Sequence, residues 1–150
     1  MNDYRRRVER YRARIAHHLR KFFEHIDEND LVQAAEKAWG LVSAFANIYA
    51  IVFHGEEVKR DRKKKEMLVE FLSSVAEHDV EIGELVMREY RGHVETLVAS
   101  LANLHSFFYG GTGISDEDVE RYLKHSRRLL PILYEYANIL AEYYLGSYEE

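Results

Sequence analysis

Seven apolar residues near the start of the chain, Tyr4, Val8, Tyr11, Ile15, Leu19, Phe22 and Ile26, recur at intervals of four, three, four, four, three and four. Only a helix brings that spacing onto one side. Arginines fill the positions between them, so the spacing predicts an amphipathic helix with a basic back. No segment alternates convincingly with period two, and the chain holds one proline and eight glycines. Helices can therefore follow one another with little interruption. A second, from about Leu31 to Phe53, is apolar around most of its circumference, the pattern of a central helix; Asn29 or Asp30 can cap it. Glu56 to Arg60 reads as a connection, and Met67, Leu68, Phe71, Leu72 and Val75 mark a shorter third helix. A fourth is expected from Val80 to Phe108, ending at the glycine-rich loop Gly110–Gly113. Ser115, with Asp118 three residues on, opens a fifth that reaches about Leu145 and that Pro131 should kink. The reading is all-α: one domain over residues 1–150, an antiparallel up-and-down bundle of about five helices.

Composition narrows the function classes. There is no cysteine, which removes disulfides, thiolate metal sites and cysteine nucleophiles. The longest apolar run, 41–53, is too short to span a bilayer, and no apolar stretch follows the basic start as a secretory signal requires. No membrane association and a cytoplasmic location are expected. Charge is dense and Gln33 is the only glutamine, a composition pointing to a thermophilic source.

The net charge of −5 hides an asymmetry. Residues 1–26 carry eight cations against Asp3, Glu9 and Glu24, and the run Lys59–Lys65 carries six interrupted by Asp61. Arg6, Arg10, Arg14, Lys63 and Lys64 are candidate contacts for RNA, through phosphate attraction that salt weakens. Acidic residues of the last helix could instead neutralise this face.

The eight histidines form no i, i+4 pair and no H-E-x-x-H, so neither a metal site nor a cofactor is expected. The glycine loop is followed by Asp116, Glu117, Asp118 and Glu120, which oppose phosphate; it reads as a turn. His105, with Asn103 and Tyr109, is the candidate ligand site. It prolongs the stripe of Val98 and Leu101 yet stands at a helix end, so it serves either as a core histidine or as a binding group.

Two segments, Asp30-Leu-Val-Gln-Ala-Ala-Glu36-Lys37-Ala-Trp39 and Leu104-His105-Ser-Phe-Phe108-Tyr109, resemble the PaREP1 family of archaeal helical proteins, a branch of the HEPN-like superfamily. Glu36, Lys37 and Trp39 carry the first motif. The resemblance implies a HEPN-like fold, a homodimer, and a nucleotidyltransferase or toxin–antitoxin partner or association with RNA. Catalytic members of the superfamily carry an arginine, four to six intervening residues and a histidine, and cleave RNA without metal. Here the corresponding positions hold Val98, Ala99 and Ser100. The expectation is a non-catalytic interaction module. The alternatives are a ribonuclease with a relocated arginine, Arg88 with His93 being the substitute pair, and a small-ligand or nucleotide binder. Tyr134, Tyr136, Tyr143, Tyr144 and Tyr148 crowd the last helix and point to a dimer interface.

Overall fold

The computed structural model describes residues 3–108 and 115–146. Tyr109, the Gly110–Gly113 loop and Tyr148, each singled out from the sequence, lie outside the described residues. Every regular element among those residues is a helix: α1 (Asp3–Asp27), α2 (Leu31–His54), α3 (Asp61–Val75), α4 (Val80–Tyr90), α5 (Val94–Phe108) and α6 (Asp116–Gly146). None is long and apolar enough to cross a membrane.

α2 is the central element, touching α1, α3, α5 and α6. Its residues Ala34, Ala38, Leu41, Val42, Phe45, Ile48 and Ala50 face different directions and all are fully buried. Asp30 caps it by accepting the N–H of Gln33 at 3.2 Å. Gly55 ends it in the left-handed region, φ 70°, where a side chain would add strain. On α1 the predicted stripe is the buried face: Val8, Ile15 and Phe22 are wholly covered, each worth about 1.5–3 kcal/mol of apolar burial. The register of α1 follows from its partners. Arg7 meets Glu57 and His18 lies against Gly40, while Arg12 Nε donates to Asn138 Oδ1 at 2.8 Å and Val8 packs with Ala141. α1 therefore runs antiparallel to both α2 and α6.

The expected fourth helix is two helices. Arg91 and Gly92 take φ of 52° and 84°, and the Gly92 N–H closes onto the Val86 carbonyl at 2.9 Å. That left-handed turn ends α4 and lets α5 start afresh, so the described residues form six helices rather than the five expected. Arg88 and His93 consequently flank this turn instead of sharing a helix interior. α3 begins earlier than its apolar residues indicated, at Asp61, so Lys63–Lys65 are helical. α6 runs unbroken through Pro131, and Ser115 Oγ accepts the Asp118 N–H at 3.1 Å as the sequence predicted.

Candidate functional site: a basic cleft beside His105

The two basic segments, some fifty residues apart in the chain, meet. Arg7, Tyr11, Arg14 and His18 are spaced four, three and four along α1 and share a side, with Arg10 beside them. Facing them are Gly40, Ser43 and Asn47 of α2, then Glu57, Val58 and Lys59 of the connection and Lys64 of α3. Between them lie two adjoining cavities, about 380 and 240 Å³, which share Tyr11, Arg14 and Glu57. Among the described residues, five cations line this cleft against the one carboxylate of Glu57.

Local chemistry explains how the cleft is held open and charged. Asn47 is buried; its Oδ1 accepts the Val58 N–H at 2.8 Å and its Nδ2 donates to the Ser43 carbonyl. This pins the connection to α2 and presents Lys59. Glu57 binds Arg7 Nη1 at 3.1 Å and the hydroxyl of Tyr11. Burial, then Glu57, pushes the Tyr11 phenol above its ordinary pKa, so it stays protonated. The guanidinium of Arg14 lies 5.4 Å from the centre of the Tyr11 ring. At Gly40 a Cβ would stand 2.9 Å from His18 Nε2, so the bare Cα is what admits the imidazole. Burial and the Lys37 ammonium hold the His18 pKa below the usual value, and the ring is neutral at pH 7. Among the described residues, Arg10, Arg14 and Lys59 have no carboxylate within ion-pair distance. These three are the cations left for an outside anion.

Lys64 joins the cleft to His105. Its Nζ is 3.9 Å from Asp61 Oδ1, and His105 Nε2 is 3.7 Å from Asp61 Oδ2. The His105 ring stacks on Trp39, centroids 5.5 Å apart and planes at 29°. Trp39 is buried. The two motifs that carried the family resemblance are thus in contact. Glu36 and Lys37 pair at 3.0 Å, and both act on His18, Lys37 lowering and Glu36 raising its pKa. Val98 and Ser100 are buried.

The chain matches the archaeal PaREP1/PaREP8 family over residues 11–130. It belongs to that family. No curated protein and no solved structure matches it. The PaREP1/PaREP8 match runs from Tyr11 of α1 to Leu130 of α6, and so takes in Arg14, His18, the α2 motif, Lys59, Lys64 and His105.

Of the contacts picked from sequence, Arg10, Arg14 and Lys64 line the cleft. Arg6 does not, and Lys63 is held by Glu66 at 3.3 Å on the outer side of α3. Asn103 is exposed on α5. Arg7 and Lys59 lie in the two basic segments expected to meet RNA but are not among the contacts named from sequence; Tyr11 and His18 are additions, although the 7, 11, 14, 18 spacing was available as a second stripe of α1. No group of three or more histidine and carboxylate side chains able to hold a metal occurs among the described residues.

A separate polar chain lies inside the bundle. His125 Nε2 faces Glu89 Oε2 at 3.2 Å, its Nδ1 lies 2.6 Å from the Tyr90 hydroxyl, and that oxygen is 3.0 Å from Ser100 Oγ. His125, Tyr90 and Ser100 are all buried. Burial lowers the His125 pKa, with Glu89 pulling the other way, and the Tyr90 phenol is pushed up to about 12. The consistent assignment is a neutral imidazole, with Nε2–H donating to Glu89 and Nδ1 accepting from Tyr90.

Proposed function

We propose that this PaREP1/PaREP8 protein is a non-catalytic, HEPN-like interaction module that associates with RNA through the cleft between α1 and the α2–α3 connection. The observation behind the reading is the convergence of two distant basic segments on one cleft, with Arg10, Arg14 and Lys59 free of carboxylate partners. Phosphates release counterions when such cations engage them, and the Ser43 hydroxyl lines the same cleft. His105 is a positioning group in this reading. Its ring is committed to Trp39 and its Nε2 to Asp61, and Asp61 places negative charge where a metal-independent ribonuclease would need positive charge.

The module acts as a homodimer beside a nucleotidyltransferase or toxin–antitoxin partner, as the family resemblance implies. Tyr134, Tyr136 and Tyr144 are packed against the core, so the tyrosine surplus is smaller than the sequence indicated. Tyr143 is 67% exposed.

The test is anisotropy of a fluorescent single-stranded RNA at low salt. Arg10→Glu with Arg14→Glu abolishes binding, and Lys63→Glu, outside the cleft, leaves it unchanged. Equal loss in both variants, or no binding by the parent, would overturn the proposal. Light scattering at high protein concentration tests the dimer, and a monomer mass would remove it.

A further inference from the structure

α4 buries one side of itself and leaves another bare. Ile82, Leu85, Val86 and Tyr90 are in the core, while Val80 is 79% and Met87 66% exposed. These two are seven residues apart, two helical turns, and so lie on one side about 10 Å apart along the axis. Two troughs, about 730 and 710 Å³ in volume, meet at the N-terminal end of α4, at His78, Asp79 and Val80; the first takes only Val80 and Glu81 from α4 and continues along α6, and the second follows α4 as far as Arg88. One is floored by Pro131, Ile132 and Ile139 of α6, the last 62% exposed. The other lies between α4 and the end of α3, where Gly83 comes so close to the Ala76 carbonyl that a Cβ would stand 2.5 Å from its oxygen. Val80 lines both troughs, Met87 the second and Ile139 the first, and exposed apolar side chains gathered at joined troughs are the kind of surface that serves as an interaction site.

The rim has the opposite sign to the basic cleft. Glu77, Asp79, Glu81, Glu84 and Glu135 line the two troughs against Arg88 and Arg128. Glu84 is paired with Arg88 at 3.0 Å. Asp79 is used in capping α4 and in accepting the Tyr136 hydroxyl at 2.8 Å. Glu77, Glu81 and Glu135 have no cation within ion-pair distance among the described residues. We infer that the α4 face docks a basic amphipathic helix of a partner protein, its apolar stripe on Val80, Met87 and Ile139 and its lysines or arginines against Glu77, Glu81 and Glu135.

Charge and shape select this occupant over the others. RNA phosphates are repelled by the rim. A second copy could offer the basic back of α1, but the apolar stripe of that helix is buried in its own bundle at Val8, Ile15 and Phe22, leaving no stripe to cover Val80 and Met87. A helix of about three turns spans the Val80–Met87 ridge, and anchors at i, i+3, i+4 and i+7 would straddle it.

The probe is a fluorescein-labelled peptide of about 18 residues, five turns, built of leucine, lysine and alanine with leucines at helical spacing. Two controls accompany it: the same composition scrambled to remove the stripe, and a version with glutamate for lysine. The parent protein binds the first and neither control. Met87→Ser, and separately Glu81→Lys with Glu135→Lys, weaken that binding by roughly tenfold or more, the effect expected of a central anchor. All three positions are exposed, and an unchanged circular dichroism melt confirms that each variant is folded. Binding of the scrambled peptide, indifference to both variants, or competition by RNA would each overturn the inference. Dissociation of a homodimer by Met87→Ser would assign the trough to a second copy and overturn it as well.

Discussion

Replacing Tyr90 by phenylalanine deletes one oxygen from a buried chain and leaves its ring in place. In the parent that oxygen lies 2.6 Å from His125 Nδ1 and 3.0 Å from Ser100 Oγ. Ser100 keeps a second partner, the Leu97 carbonyl at 2.7 Å; Nδ1 of His125 keeps none among the described residues. The variant therefore strands one buried acceptor, a loss of about 1–3 kcal/mol. For 150 residues, an unfolding entropy of roughly 2 cal/mol/K per residue gives about 0.3 kcal/mol per degree. A loss of about 2 kcal/mol thus lowers Tm by roughly 6 °C. Urea titration followed at 222 nm should show a lower midpoint at unchanged slope, because the fold is kept. Combining Tyr90→Phe with His125→Phe tests the pairing: in the double variant the stranded acceptor is gone, so the losses should fall short of additive. A shift below about 1 °C for Tyr90→Phe, or strict additivity in the double variant, would refute the account of this chain.

Three further outcomes follow from the same geometry. His125 and His18 both have pKa values lowered by burial, so the unfolded chain takes up protons at higher pH than the folded one. Stability is full above about pH 6.5 and is lost as pH falls through the folded values; the urea midpoint should drop between pH 7 and 5, and drop less in His125→Phe. Gly83→Ala should destabilise, by about 1–3 kcal/mol of overpacking against the Ala76 carbonyl, where an open helix position would gain about 1 kcal/mol from the same change; an increased urea midpoint would contradict this. Labelled RNA incubated with chelator should remain intact with the parent and with His105→Ala alike; cutting by the parent alone would restore the ribonuclease reading.

Much of the fold was legible because it rests on local periodicity. The α1 stripe and the all-round apolar character of α2 became the buried face and the central helix, and Asp30 and Ser115 cap as their side chains dictate. The α4–α5 break was missed because the apolar stripe from Leu85 to Leu104 continues in phase across it. Gly92 was the available signal, a helix-ending glycine. His125 could also have been found: it stands four residues before Leu129 and eight before Leu133, on the buried stripe of α6. The cleft was not legible as a cleft. Arg10 and Lys59 are brought together only by the packing of α1 against α2 and by the Asn47–Val58 bond, and no local pattern encodes that contact. The Trp39–His105 stack was half legible, since both residues carried the family resemblance but nothing in their spacing placed one ring on the other.

The most direct test of the proposed role is the salt dependence of RNA binding. Three cations of the cleft, Arg10, Arg14 and Lys59, lack carboxylate partners among the described residues. Each phosphate contact on a single strand contributes about −0.7 to the slope of log affinity against log salt. The parent should therefore show a slope of about −2, some twentyfold weaker binding at 200 mM than at 50 mM salt. Arg10→Gln with Arg14→Gln should reduce the slope to about −0.7, roughly a threefold change over the same range. A parent slope near zero, or one that the double variant leaves unchanged, would contradict the assignment of the cleft as the RNA-binding surface.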